Sequence, residues 1–331
     1  MIIRLSARQR VADLATSFQG RQRAKMREGG IVGVLVVLVC LSGLDGPAVG
    51  QETPHYVNGV EGIKAATLPP PGLYGRVYSV GYHATTTTNN SGGRVPIDFD
   101  VSVGAVSPRV IWITELDLFG GKYGLDVMVP VVHTNIDVTP PPAPGPIRDS
   151  ETGIGDIWVE PLLISWHGAW YEAAIGLGFF APTGQQSPRR AASPGKDHWT
   201  LMPTAGVTVY FDQEKTWSAS ILARYEVHTK KRNQNIRAGD DFHFEWGLGK
   251  TVVPGVDVGL AGYCQWQLTD DRGSDVTWNG ERHDNVFAAG PEVNTFFPDL
   301  GLGVSLRVLR EFGARNTSEG FLAALTVTKA F

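Results

Sequence analysis

Charged and aromatic side chains recur at every second position in several short segments of this chain: Asp156, Trp158 and Glu160; Arg224 and Glu226; His243 and Glu245; Tyr263 and Gln265. Extended backbone turns alternate side chains to opposite faces, so each of these sets falls on one face of a strand. Asp126, Glu172, Tyr210, Glu292 and Arg307 hold equivalent places in similar segments, and their sequence neighbours are apolar or small. The chemistry open to such a face is electrostatic. It could line a path and select what passes by charge, or its acids and arginines could neutralise one another in a filled interior. Asp126, Asp156, Glu160, Glu172, Glu226, Glu245 and Glu292 outnumber Arg224 and Arg307. A water-filled path so lined would favour cations or neutral solutes over anions.

Catalysis finds little support. A nucleophile needs a base within hydrogen-bond reach, and there is no Gly-x-Ser-x-Gly elbow; Ser165 and His167 sit too close along one strand-turn to form such a pair. His198, His228 and His283 fall in segments read as loops, where histidines are usually solvated. Asp270, Asp271 and Asp275 miss the spacing of a calcium-binding EF-hand loop and read as a solvated acidic loop. We expect a protein that is not an enzyme, with no cofactor and no metal.

The elements that position these residues begin after a leader. Ile31 to Leu44 is apolar, is preceded by basic residues, and is cut off by Asp45-Gly46-Pro47 before it reaches the length of a membrane-spanning helix. Residues 1–50 are therefore expected to be a signal peptide, with Met26 as an alternative start. Removing them takes the basic count from 29 to 22 and the acidic count from 33 to 30, moving the net charge from −4 to −8. So acidic a chain is not built for nucleic acid. Cys264 alone would remain, which excludes an intramolecular disulfide and a cysteine metal cluster. Residues 51–72, ending in Leu-Pro-Pro-Pro-Gly, read as an irregular lead-in.

From residue 73 to 331 one texture continues. Tyr171, Ala173, Ile175, Leu177 and Phe179 alternate with Glu172, Ala174, Gly176 and Gly178; Phe242, Phe244, Trp246 and Leu248 alternate with His243, Glu245, Gly247 and Gly249. About 12 strands follow, starting near residues 73, 103, 122, 154, 169, 200, 216, 241, 255, 285, 299 and 321. Tight links at Gly120-Gly121, His167-Gly168, Asp212-Gln213-Glu214, Pro254-Gly255 and Pro298-Asp299 alternate with long polar ones, expected over 83–97, 133–152, 182–198, 228–240, 269–284 and 311–318. That alternation is the mark of an all-β, transmembrane, antiparallel up-and-down barrel with short periplasmic turns and long outer loops, both chain ends lying on the periplasmic side. A soluble sandwich or propeller shares the strand pattern but explains neither the leader nor the loop alternation.

Several motifs in this order resemble the meta-pathway phenol-degradation family of outer-membrane, porin-like proteins. They are Gly153-Ile154-Gly155-Asp156-Ile157 with Pro161, Phe180-Ala181-Pro182-Thr183-Gly184, Gly239-Asp240-Asp241-Phe242-His243, Leu268-Thr269-Asp270-Asp271, Ala289-Gly290-Pro291 and Glu311-Phe312-Gly313-Ala314-Arg315-Asn316. The similarity runs from about Leu73 to Phe331 and implies a porin-like barrel associated with uptake of aromatic or other poorly soluble compounds. It carries over no catalytic set.

The expected function is passive passage of small, aromatic or hydrophobic solutes through an outer-membrane channel. The alternative is a closed structural or adhesion barrel acting through its outer loops. Partners implied are small-molecule solutes, outer-membrane lipid and the barrel assembly machinery. The final Phe331 resembles the aromatic residue by which such barrels are recognised for assembly, while Lys329 departs from the usual hydrophobic residue. Deleting Phe331 should lower the yield of folded, heat-modifiable barrel without reducing synthesis or export, and Lys329→Leu should leave folding intact; normal folding of the deletion would contradict assembly through this residue.

Overall fold

The computed structural model describes residues 52–139 and 145–331; the expected leader and the Pro-rich stretch 140–144 lie outside them. The alternating segments form β1 (Gly72–Thr87), β2 (Phe99–Leu118), β3 (Gly121–Met128), β4 (Val131–Val138), β5 (Ile147–Ile154), β6 (Ile157–His167), β7 (Tyr171–Ala181), β8 (Thr200–Tyr210), β9 (Trp217–His228), β10 (Asp241–Val253), β11 (Val256–Gln267), β12 (Asn285–Phe297), β13 (Leu302–Arg315) and β14 (Ser318–Ala330). One 3-10 turn, Pro298–Leu300, is the only helix among the described residues.

β1 pairs with β14 on one side, Tyr74 opposite Ala330, and with β2 on the other, Gly72 opposite Ile113. Pairing the first strand with both closes the sheet. β3 and β4 both pair with β2, and β6 and β5 continue them, so each couple is one long stave broken near its middle. The outcome is a closed antiparallel barrel of 12 staves. The break is local: the Gly155 N–H donates to the Pro130 carbonyl at 2.8 Å, and Pro130 itself has no N–H to offer the ladder. Beyond the break β2 pairs with β4 and β4 with β5, and β5 has no further strand partner. The outer edge of β5 is met by the loop 182–199, whose Arg190 guanidinium donates to the Ser150 carbonyl at 2.9 Å and whose Ala192 N–H donates to the Asp149 carboxylate at 3.0 Å. An edge left open would invite pairing with other chains.

Outward rows are apolar and exposed: Ile175, Leu177, Leu248, Leu260, Leu306, Val308, Phe321 and Leu325. Two aromatic belts bound them. Phe119, Trp170, Phe211, Trp217, Phe296, Phe297 and Phe331 lie exposed at the short-turn end. At the other end Phe242, Trp266, Phe287 and Phe312 form a chain of ring contacts across β10–β13. Aromatic girdles at both interfaces flank the apolar band of outer-membrane barrels.

Three elements differ from the sequence expectation. The segment 133–152 is not a loop but mostly β4 and β5, which read as loop because polar His133, Asn135 and Asp137 alternate with the inward-facing Val132, Ile136 and Val138; His133 Nδ1 lies 2.7 Å from the Thr152 hydroxyl across the hairpin. The link expected over 311–318 is a tight turn, since Asn316 takes a left-handed φ of 54° and lets β13 and β14 meet with two residues between them. The chain before β1 is not confined to the periplasmic end. Residues 52–71 run through the barrel interior, from Glu52, paired with Lys231 of an outer loop at 2.6 Å, to Thr67, whose hydroxyl lies 3.2 Å from that of Thr208. Glycines allow this approach: a Cβ at Gly247 would lie 2.4 Å from the Gly62 carbonyl.

Candidate functional site: the barrel interior

Of the residues expected to line the interior, all but the half-buried Glu172 are buried there, and their partners define it. Glu245 on β10 is fully buried. Its Oε1 accepts the backbone N–H groups of Gly59, Val60 and Glu61 at 2.8, 2.8 and 2.9 Å, and its Oε2 accepts the Tyr56 hydroxyl at 2.9 Å and Arg224 Nη1 at 2.6 Å. One carboxylate thus pins three consecutive backbone N–H groups and one side chain of an irregular segment that has no ladder of its own. Hydrogen bonds to an ionised acceptor are roughly twice as strong as neutral ones. Arg224 also stacks its guanidinium 4.1 Å from the Tyr56 ring centroid.

Glu292 repeats the device lower down, accepting Ile63 N–H at 3.0 Å and Arg307 Nη2 at 2.8 Å across β12–β13. Glu226 accepts the N–H groups of His55 and Tyr56 at 2.8 and 3.1 Å and His243 Nε2 at 2.9 Å. Asp156, at the break between β5 and β6, accepts the N–H groups of Gly184 and Lys196, each at 2.7 Å, and lies 3.0 Å from His55 Nε2. Gln265 accepts from the Asn58 amide at 2.8 Å. Tyr263 and Tyr82 both donate to Glu311, and Tyr210 donates to Glu172 at 3.0 Å.

On the opposite wall, β1, β2, β3 and β6 place Arg76 opposite Arg109 and Asp126 opposite Glu160. Like charges directly across a ladder repel, and the rows relieve this by pairing crosswise. Arg109 grips Asp126 with Nε and Nη2 at 2.8 and 2.5 Å and reaches Glu160 at 3.2 Å, while Arg76 meets Glu61 of the threaded segment at 3.2 Å. Trp158 donates to Asp126 at 3.0 Å.

The threaded segment and loops leave a cavity of about 1500 Å³. Its upper wall differs in character from the charged layer beneath. Val101, Val103 and Ala105 of β2 and Val132, Ile136 and Val138 of β4 face it, with Pro188 and Ala191 of the loop 182–199 opposite. None of these apolar residues figured among the expected lining set. The alternation of Val132, Ile136 and Val138 was the available signal, masked by the intervening His133, Asn135 and Asp137.

Arg76, Arg109 and the segment's Lys64 add basic groups to this interior that the sequence reading did not include, and each is paired with an acid. Lys64 pairs with Asp257 at 2.7 Å. Two loop expectations also change. His198 and His228 are buried rather than solvated, and Asp271 is buried, accepting Gly239 N–H at 2.8 Å and Trp278 Nε1 at 2.6 Å. Burial raises the Asp271 carboxyl above its usual range. Polar loops pack inward here because their backbone and side-chain groups complete one another over the barrel mouth.

A family model described as "Putative MetA-pathway of phenol degradation" matches residues 84–327. The chain belongs to this family. No curated protein matches its sequence. In fold, this family member is similar to the crystal structure of an outer-membrane channel from Pseudomonas putida F1, with a TM-score of 0.69, 14% identity, and 81% of this chain and 98% of that chain covered. A transport unit of the autotransporter AIDA-I from Escherichia coli aligns at a TM-score of 0.45 and 11% identity, covering 79% of this chain and 91% of that one. That second likeness is too distant to carry argument. The closed sheet, the exposed apolar rows and the two aromatic belts place this phenol-degradation family member in the bacterial outer membrane.

His198, in the loop before β8, offers a clean test of this inward packing. Burial, and then the neighbouring His55 and His228, hold its imidazole down to about 2. A histidine depressed in the folded state binds its proton more readily when unfolded, so its contribution is intact above about pH 6.5 and is lost as pH falls below that. The thermal midpoint of unfolding, followed by gel mobility, should fall between pH 7 and pH 4, with His198 responsible for up to about 1.4 kcal/mol per pH unit. His198→Gln should flatten that slope; an unchanged slope would show that the loop does not bury this ring.

Proposed function

We propose that the protein admits small, weakly polar solutes, aromatic ones among them, from the outer surface into the barrel. The observation that carries this is the apolar wall of Val101, Val103, Ala105, Val132, Ile136 and Val138 on a cavity of about 1500 Å³. Each 100 Å² of apolar solute surface laid on such a wall gains about 2.5 kcal/mol, enough to draw a ring out of water. The charged layer below lacks that affinity, which lets a solute leave again. Two further facts support the reading: the similar Pseudomonas putida structure is of an outer-membrane channel, and the matching family is described by phenol degradation.

In this reading the charged residues Asp126, Asp156, Glu160, Glu172, Arg224, Glu226, His243, Glu245, Glu292 and Arg307, with Trp158, Tyr210, Tyr263 and Gln265, line the path. They act by holding the segment 52–71 across it rather than by presenting free charge. Passage then requires the segment to shift. The rival reading, a closed structural or adhesion barrel, draws on the same dense network. It predicts no solute flux.

Swelling of proteoliposomes separates the two. Phenylalanine should enter faster than glutamine, a polar side chain of comparable length, and Val103→Asp or Val132→Asp should cut the phenylalanine rate about tenfold, as expected for loss of roughly 1.4 kcal/mol of apolar contact. Equal rates for both solutes would remove the apolar wall from the account, and no swelling with either would favour the closed barrel.

A further inference from the structure

The strand register brings two carboxylates face to face at the outer end of the interior: Asp241 on β10 lies directly opposite Glu226 on β9. Both are buried, and a like-charged pair in that position is destabilised unless protons or a cation intervene. His228, two residues beyond Glu226, projects from the same face and is also buried. One donor atom from each of Glu226, His228 and Asp241 lies within 4.8 Å of the other two. We propose that these three residues bind a divalent transition-metal ion of the zinc class.

The donor set and its surroundings fit such an ion. Imidazole with carboxylates suits zinc and its neighbours in the first transition row, whereas calcium and magnesium want six or more oxygens or several retained waters. Ligands about 2.0–2.2 Å from a tetrahedral ion stand about 3.4 Å from each other, so closing the site takes side-chain movements of about 1 Å. His228 is held for this role from behind. Its Nδ1 lies 2.8 Å from the Thr200 hydroxyl, leaving Nε2, now 3.1 Å from Asp241 Oδ2, on the side of the carboxylates. A hydrogen-bond partner on the far ring nitrogen sets the tautomer of a metal-binding histidine. Glu226 is oriented likewise by His243 Nε2 at 2.9 Å and by the N–H groups of His55 and Tyr56.

A fourth position has a candidate. His198 packs its ring edge-on against His228, centroids 5.0 Å apart, and its Nε2 is buried without a hydrogen-bond partner among the described residues. Three protein ligands with one neutral imidazole alongside is the composition of a closed or nearly closed zinc site. The position also matters for the threaded segment, because Glu226 is one of its anchors and the Thr200 hydroxyl that supports His228 also meets His55 Nδ1 at 2.8 Å.

The test uses the full, untagged, folded protein in detergent, stripped with chelator and titrated with zinc chloride by calorimetry. The expected result is one Zn²⁺ per chain at micromolar affinity or better, not displaced by millimolar Ca²⁺ or Mg²⁺. His228→Gln and Asp241→Asn should each weaken binding at least about tenfold, while His133→Gln and His283→Gln, altering surface histidines, should not. Cobalt(II) titration of the unaltered protein gives a readout independent of whether the variants fold: intense visible bands report a four-coordinate site. Absence of stoichiometric zinc binding, binding that persists in the folded His228→Gln/Asp241→Asn double variant, or only the weak bands of six-coordinate cobalt would overturn the proposal.

Discussion

A hydrocarbon interior offers no hydrogen bond to a peptide group, and everything else in this structure follows from satisfying that constraint. Each unpaired backbone group in lipid costs several kcal/mol, so β1 must find both β2 and β14. Closure then sorts the side chains. Alternate residues on each stave face lipid and are apolar; the others face a shared interior that is narrow enough for residues on opposite walls to be bridged by one threaded segment. The segment brings its own unsatisfied N–H groups, and the buried carboxylates of Glu226, Glu245 and Glu292 answer them.

The interior therefore solves two problems with one set of charges. A buried carboxylate is costly unless paired and hydrogen-bonded, and an irregular backbone is costly unless its amides find acceptors. Placing Glu245 against Gly59, Val60 and Glu61 offsets both, with Arg224 completing the charge balance. The same economy explains the glycines on the barrel wall: at Gly247 any side chain would occupy the space of the Gly62 backbone. Ionic anchors of this kind are strong while in place and exchangeable for water if the segment moves.

Much of this was legible in the sequence. Period-two alternation located the barrel staves and assigned Glu172, His243, Glu245 and Arg307 to the inward face, because lipid on one side and polar groups on the other make register unambiguous. Legibility failed where that contrast vanishes. In β4 and β5 the outward row is largely polar rather than apolar, so the hairpin reads as loop. Spacing does not reveal Arg76 and Arg109 as partners of the acids because long-range pairing leaves no trace in local sequence, and His198 and His228 read as solvated because loop composition does not reveal that a loop folds inward. The segment 52–71 has no periodicity at all; its role lies in backbone N–H groups, which every sequence carries equally.

The central claim is that the threaded segment governs passage through the lumen. Asn58 and Gln265 are hydrogen-bonded at 2.8 Å, one on the segment and one on β11. In a Cys264→Ser background, Asn58→Cys with Gln265→Cys allows the segment to be tied to the wall by oxidation and freed by reduction, while single-channel current is recorded in a planar bilayer. The account predicts openings in the reduced protein that cease on oxidation and return with reductant. Conductance that is the same in both states would contradict it.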